Sequence, residues 1–458
     1  MCAEEFYRLR DDRTNSCVGK FGYQSVRCFV TVDLQLLGTL QGQVMVVATC
    51  NLLSRWCRTV ELVLPRASVH VDSRLGAGGL GEIILKQMRD ADPFGAFSIV
   101  EGLSSDDALR IHIGPCSSHT DEEGVVINAS GWCASIGVPF ADLLERHDNE
   151  NVIGAVGAAC LGVAQVFKQA VGTPKNLLTG GGIFDLFRLR KLLAGDALDL
   201  GPETGRIDIG RVLMVGAGSV GSATTYCMNL AGVSCDLTVV DGDAVKIENL
   251  NRSPVFGKGN FGANKAEAVA QSIIGSRISA KAFPGWWSEF AAKTTPLANR
   301  YDVWLPLANE HGVRWSMQNN IPPILIHATT GKNWGVNHGR HIYGLDDCLA
   351  DRFPEEVATE SLTCSTGEVS TPDGQVDAAL PFVSLFAGLQ VTAELTRLQM
   401  PGYPQLANFG LVDFGGPMDV IQLFNKGPRA GCVCTSVSPE VYLGLHGRSR
   451  YSHLAFVK

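Results

Sequence analysis

The sequence predicts an α/β protein built from two parallel-sheet domains in tandem. Three observations carry this prediction. Short β-rich apolar runs alternate with helical patterns, the alternation that sets strands side by side in a parallel sheet with helices across its faces. The alternation occurs twice, and each block ends in a helix of small residues, Gly154 to Val171 and Phe382 to Leu398. Between the blocks, Gly172 to Gly182 is rich in Gly, Pro and Thr and reads as a loop. The expected division is therefore residues 1–178 and 179–458, an internal duplication of a whole domain.

In the first block, Glu5-Phe6-Tyr7-Arg8-Leu9-Arg10 opens the pattern. Gly42 to Val47 reads as a strand, Asn51 to Cys57 as a short helix and Val60 to Pro65 as a second strand. The second block opens with the similar Asp185-Leu186-Phe187-Arg188-Leu189-Arg190. Arg211 to Val215 then reads as a strand, Ser222 to Ala231 as a helix and Leu237 to Asp241 as the next strand. A loop is expected from about Asp346 to Asp377, ahead of the last small-residue helix.

Composition narrows the function classes. The chain has 458 residues, 45% of them apolar and 18% charged, an ordinary globular balance rather than a disordered one. Its formal net charge of −8 gives a nucleic-acid partner no global electrostatic support. Of the 14 cysteines several, such as Cys28, Cys50, Cys160 and Cys227, sit in apolar runs and read as reduced core thiols. Met1 to Arg13 has no apolar leader segment, and Val152 to Ala164 is too short and too rich in Gly and Ala to span a bilayer. The expectation is a cytoplasmic chain with no membrane and no nucleic-acid partner.

The chemistry concentrates after Val215. Gly216-Ala217-Gly218-Ser219-Val220-Gly221 is a GxGxxG between a predicted strand and a predicted helix. Its glycines, Gly216, Gly218 and Gly221, permit a tight turn and a close backbone approach, and the helix start offers N–H groups to phosphate. The following strand ends in Asp241, where a carboxylate can take a ribose hydroxyl. That pattern alone would suit a nicotinamide-dependent dehydrogenase. The continuation argues otherwise: Asp243, Asn249, Arg252 and Lys265 place a carboxylate, an amide and two cations just beyond the ribose position. Hydride transfer has no use for such a cluster. Attack on the α-phosphate of ATP needs cations at the pentavalent phosphorus and at the leaving pyrophosphate. Asp243 can also help to hold Mg, which prefers few carboxylates together with phosphate oxygens and water.

The run Asp241-x-Asp243-x-Val245, then Asn249-Leu250-x-Arg252 and Lys265, resembles the ThiF-like and MoeB-like ubiquitin-activating superfamily. The resemblance implies two Rossmann-like domains, one inactive and one active, joined as a pseudo-dimer. It implies that Asp241 binds ribose and that Asn249, Arg252 and Lys265 contact the ATP phosphates. The family pattern has Gln after the arginine, where this chain has Ser253, and an aspartate ahead of a later arginine. Matching through Arg314 puts Asn309 at that position, beside Glu310. The first block has Ala48 to Leu53 where its phosphate loop is expected, and Pro65 where its second strand ends. It reads as the inactive half, which in the family reaches over with an N-terminal arginine; Arg8 and Arg10 are the candidates.

By position, Cys364 matches the family cysteine carried on a loop that crosses the active site, whose thiolate would take the acyl group as a thioester. Many relatives hold zinc with two CxxC pairs. Here Cys348, Cys432 and Cys434 occupy the equivalent places, with Asp351 as a fourth ligand, and a degenerate site without metal is the favoured of the two readings. His311, His327, His338 and His341 form no ligand spacing and read as packing or surface residues. Trp286-Trp287 reads as an aromatic pair of the core or of a docking rim.

The resemblance implies ATP-dependent adenylation of the C-terminal glycine of a ubiquitin-like protein, then thioester transfer to a conjugating-enzyme partner. The fused layout is similar to bacterial activating enzymes, some of which act in antiphage defence. Two alternatives stand beside this reading: activation of a sulfur-carrier protein or other carboxylate, and a non-catalytic scaffold that binds a ubiquitin-like protein. Both a monomeric pseudo-dimer and a homodimer fit the sequence.

Overall fold

The structure is a computed structural model and describes residues 1–18, 22–64, 70–102, 107–115, 124–145, 150–172, 181–192, 196–273, 276–294, 297, 300–309, 311–331, 334–352, 369–371, 374–376, 380–400, 403, 406–416, 421–432, 450–451 and 454. Two eight-stranded sheets share one topology. The first contains β1 (Arg27–Val32), β2 (Thr59–Val63), β3 (Ala96–Ile99), β4 (Leu109–Ile113), β5 (Val125–Ser130), β6 (Cys133–Ile136), β7 (Gly182–Asp185) and β8 (Arg190–Leu192), in the order β3-β2-β1-β4-β5-β6-β7-β8. The second contains β9 (Asp208–Val215), β10 (Ser234–Val240), β11 (Ile278–Phe283), β12 (Val303–Pro306), β13 (Ile324–Gly331), β14 (Gly335–Ile342), β17 (Phe409–Asp413) and β18 (Ile421–Phe424). Its order is β11-β10-β9-β12-β13-β14-β17-β18, and β15 (Val369–Thr371) pairs separately with β16 (Gly374–Val376). In both sheets five strands run parallel and the last three pair antiparallel. The duplication is thus visible strand by strand.

Three sequence expectations need correction. Gly42 to Val47 is not a strand; it lies inside the helix Leu40–Ser54, and the first central strand is β1. Every residue of that helix except Leu40 is buried, so its apolar run carries no helical stripe. The segment Asp185 to Arg190 is not the opening of the second half. It turns from β7 into β8 of the first sheet, where the buried Asp185 carboxylate accepts from the Phe187 and Arg188 N–H groups. The first sheet therefore runs to Leu192, past the expected boundary at 178, and the second begins at Asp208.

The halves meet through helices. Ile153–Ala170 packs on Leu40–Ser54, Pro381–Arg397 packs on Ser219–Leu230, and Ile153–Ala170 and Pro381–Arg397 pack on each other. Ile153–Ala170 is long and apolar enough to cross a membrane by length and composition, and 89% of it is buried inside the chain. Phe167 stacks edge-on to Trp334 at 5.8 Å between ring centroids and lies 5.6 Å from Phe382, so one aromatic core spans both halves.

Candidate active site

A cavity of about 350 Å³ opens at the carboxyl ends of β9, β10 and β12, the usual ligand position in an open parallel sheet. The glycine loop forms its floor. Gly216 has φ +101°, and a Cβ there would lie 2.4 Å from the Ala308 nitrogen. At Gly221 a Cβ would lie 2.1 Å from the Gly216 carbonyl oxygen, so this glycine lets the helix start close against the loop. Gly218 has open space around it, and as N-cap of Ser219–Leu230 it makes no side-chain cap bond. The loop thus leaves room and uncapped donors at the start of a helix.

Asp241 fixes the loop from β10. Its carboxylate accepts from the Ala217 N–H at 2.6 Å and the Asp243 N–H at 2.9 Å. Burial raises its pKa above the ordinary aspartate value, opposed by those two bonds and by Lys265. Asp243 is exposed, and its carboxylate takes the Lys265 ammonium at 2.8 Å. Asn264, which the sequence reading passed over, binds the Asp241 and Asp243 carbonyls at 2.9 and 3.2 Å through its amide and caps the helix Lys265–Ser272 with its oxygen. An Asn directly before a helical pattern is a readable N-cap signal.

The next turn carries the amide and the arginine. The Asn249 oxygen accepts from the Lys246 N–H at 2.9 Å, which shapes the turn Ile247–Asn249. Arg252 is buried and donates to the Glu248 carbonyl and, at 2.7 Å, to the Asn251 side chain. Asn251 in turn donates to Thr14 of the first half at 3.1 Å. Arg13 joins the cavity wall and pairs with Glu248 at 3.3 Å.

Arg13 corrects the expectation for Arg8 and Arg10. Arg8 is exposed and Arg10 is fully buried, and neither lines the cavity. Arg10 is held by Asp11, by the Asp92 carboxylate and by the Ser54 carbonyl, and Arg58 also binds Asp11 at 2.9 Å. This cluster anchors the N-terminal segment so that the next turn presents Arg13.

Arg13, Lys246, Arg252, Lys265 and Arg314 face the cavity against Asp241, Asp243 and Glu248. That balance suits a polyanion. Asn309 is exposed on the wall, and Glu310 lies outside the described residues. Trp286, 53% exposed, lies against Gly242 at the cavity edge, where a Gly242 Cβ would meet its ring at 2.7 Å; Trp287 is core.

Cys364 and Cys434 lie outside the described residues. Cys348 and Cys432 are buried side by side, Sγ to Sγ 2.6 Å, and among the described residues no group of three or more metal-ligating side chains is found. His327, His338 and His341 are buried, with pKa values pushed down chiefly by burial, to about 4 for His338. They are neutral packing residues.

Among the described residues, the corresponding place in the first half is closed. After β1 the short helix Leu34–Leu37 lies on the start of Leu40–Ser54, so closely that a Cβ on Gly42 would sit 2.1 Å from the Leu36 carbonyl oxygen. Thr39 takes the Gly42 N–H, and Gln43 binds the Leu37 and His70 carbonyls. The helix end that receives phosphate in such folds is sealed here by the chain's own residues.

Comparison with known proteins matches the two halves to two different families. Residues 199–426 match the ThiF family and residues 27–177 the BilD N-terminal domain. The chain is 24% identical over 243 residues to the adenylyltransferase and sulfurtransferase UBA4 of Lodderomyces elongisporus, covering 50% of each. It is 38% identical over 78 residues to the SAMP-activating enzyme E1 of Haloferax volcanii, covering 17% of this chain and 28% of that one. Among solved structures it is similar to E. coli MccB with AMPCPP and MccA, at 16% identity and TM-score 0.36, over 49% of this chain and 66% of that one. The chain spans about half the length of the curated relatives it matches, from 41% to 56% for the first three. The chain is a member of the ThiF/MoeB-like superfamily, with its ThiF domain in the second half.

Proposed function

We propose that the second half adenylates the C-terminal carboxylate of a ubiquitin-like protein and that the first half is an inactive partner. The observation that carries this is one cavity in which the open glycine loop and Asp241 face Arg252, Lys265, Arg314 and, from the other half, Arg13. ATP is the substrate that suits it. The free lone pairs of Asp241 would take ribose hydroxyls, and the uncapped start of Ser219–Leu230 would take phosphate. A carboxylate oxygen of the small protein attacks the α-phosphorus, the bond to the bridging oxygen breaks, and pyrophosphate leaves. Negative charge builds on the phosphate oxygens during this step. Fixed cations in a walled cavity stabilise it, each by a factor of about 10²–10³ in kcat when judged by removal. Asp243 suits Mg, because a single carboxylate plus phosphate oxygens is the usual site for that ion; Lys265 would then turn from Asp243 to phosphate.

In this reading the Cys364 thiolate next attacks the acyl carbonyl, AMP leaves, and the thioester passes to a conjugating partner. One chain supplies both halves of the site, so a single chain is the working unit. A sulfur-carrier protein is the second reading for the adenylated substrate, favoured by the likeness to UBA4, an adenylyltransferase and sulfurtransferase.

ATP–pyrophosphate exchange with small proteins and peptides ending in glycine tests the proposal. Arg252→Ala is expected to lower exchange about 10²-fold or more, while Cys364→Ala keeps exchange and loses the thioester. A thiocarboxylate product without a Cys364 thioester would select the sulfur-carrier reading. No exchange with any candidate, together with no ATP binding, would overturn adenylation.

A further inference from the structure

Arg55 follows the helix Leu40–Ser54 of the first half, yet its hydrogen bonds cross to the second half. Its guanidinium donates to the Leu250 and Phe256 carbonyls at 2.9 Å each and to the Pro254 carbonyl at 2.8 Å. Within its own half it is braced by the Asn51 side-chain oxygen at 3.1 Å, and the Asn51 amide adds a bond to the Pro254 carbonyl at 3.2 Å. Arg55 and Asn51 are both buried. The three carbonyls flank Arg252 on the chain. They belong to the turn that runs from Asn249 through Ser253 to Phe256, which is otherwise closed by short local bonds, Arg252 and Ser253 to Asn249 and Phe256 to Ser253.

A planar fork of donors suits this task, since its N–H groups are spread over three nitrogens in a fixed plane, whereas the three donors of an ammonium share one atom. Without Arg55 the Leu250 and Phe256 carbonyls lose this donor, and the Pro254 carbonyl is left with the Asn51 amide alone. No carboxylate hydrogen-bonds to this guanidinium among the described residues, and burial lowers its pKa. Burying a cation is costly, and although Asp90 of its own half acts on it through space, the groups its donors meet across the boundary are the three carbonyls of the second half.

We infer that Arg55 is a positioning residue for the adenylating site of the other half: it holds the 250–256 turn so that Arg252 meets phosphate, and it makes the sealed first half indispensable to the chemistry of the second. This rests on the adenylation reading for its kinetic consequence but not for its structural one. Displacing a reacting group by about 1 Å costs on the order of 10²-fold in rate. Arg55→Ala is therefore expected to lower kcat for ATP–pyrophosphate exchange about 10²-fold with little change in the KM for ATP. Arg55→Lys is expected to keep part of the rate that Arg55→Ala loses.

The experiment pairs those kinetics with hydrogen exchange of residues 250–256 in the full chain, for wild type, Arg55→Lys and Arg55→Ala. Circular dichroism and the melting temperature identify the folded fraction. Faster exchange confined to 250–256 in either folded variant supports the clamp. Unchanged exchange there in Arg55→Lys and Arg55→Ala overturns it, as does a kcat per folded molecule equal to wild type. If Arg55→Ala does not fold, Arg55→Lys decides alone, because it retains a cation and a single donor group. Absence of pyrophosphate exchange in wild type, together with no ATP binding, would overturn adenylation instead, and the amide data would still judge the clamp.

Discussion

At the scale of single residues, Asp241 is the most informative. It accepts two backbone N–H bonds that hold the glycine loop, and burial still raises its pKa above 3.8. Raised means that the folded state binds this proton more tightly than the unfolded chain does. The ionised carboxylate is then a cost to folding at neutral pH, and the cost vanishes as pH falls through the raised pKa. Function runs the other way, because only the carboxylate accepts from both loop and ribose. ATP affinity is expected to fall on acidification at a pH above that of an ordinary aspartate. Asp241→Asn should bind ATP more weakly by about 1.5–3 kcal/mol, the worth of a hydrogen bond to a charged group, and should lose the pH dependence in that window. Calorimetric titration of ATP across pH checks both. A wild-type profile flat down to pH 3.8 would show that Asp241 does not contact the nucleotide.

At the scale of elements, the three loop glycines divide by what surrounds them. Gly221→Ala places a methyl 2.1 Å from the Gly216 carbonyl oxygen, so the helix must move off the loop. Alanine would otherwise favour a helix by about 1 kcal/mol over glycine, so the sign of the change is diagnostic. A lower melting temperature together with weaker ATP binding is expected. Gly218→Ala has open space and an ordinary φ of −71°, so stability should hold while ATP binding weakens. Thermal melting beside ATP titration separates the two. The same contrast explains what was legible in the sequence. The second-half site could be read because each position has a rigid chemical demand: glycine at the turn, acid at the strand end, cations beyond it. The helix Leu40–Ser54 could not, because buried on all sides it has no polar face to reveal its period. Arg8, Arg10 and Arg13 look alike in the sequence until Asp11 and Asp92 claim Arg10, and of the three it is Arg13 that lines the cavity. Asn264 carried a readable cap signal, whereas nothing local marks Arg55, whose partners lie about 200 positions away.

At the scale of the whole molecule, two like sheets have unlike fates. One keeps an open helix start; the other seals it with Leu34–Leu37 and supplies Arg13, Thr14, Asn51 and Arg55 to its neighbour. Such a division requires the halves to stay in fixed register, and the shared core provides that. Phe167 from the first half contacts Trp334 and Phe382 from the second, which are themselves 6.0 Å apart. Lys168, next on the same helix, is buried and donates to the Gly416 carbonyl at 2.7 Å. A core continuous across both sheets couples their unfolding, so calorimetry should show one transition rather than two. Phe167→Ala removes the ring that both halves share and should cost about 3–5 kcal/mol. The loss should lower that single transition as a unit. If the halves were independent, the first would melt early in the variant and the second would keep its temperature. That second outcome would also predict retained ATP binding with lost Arg13 and Arg55 contacts, so titrating ATP between the two transitions would reveal how much of the site the second half holds alone.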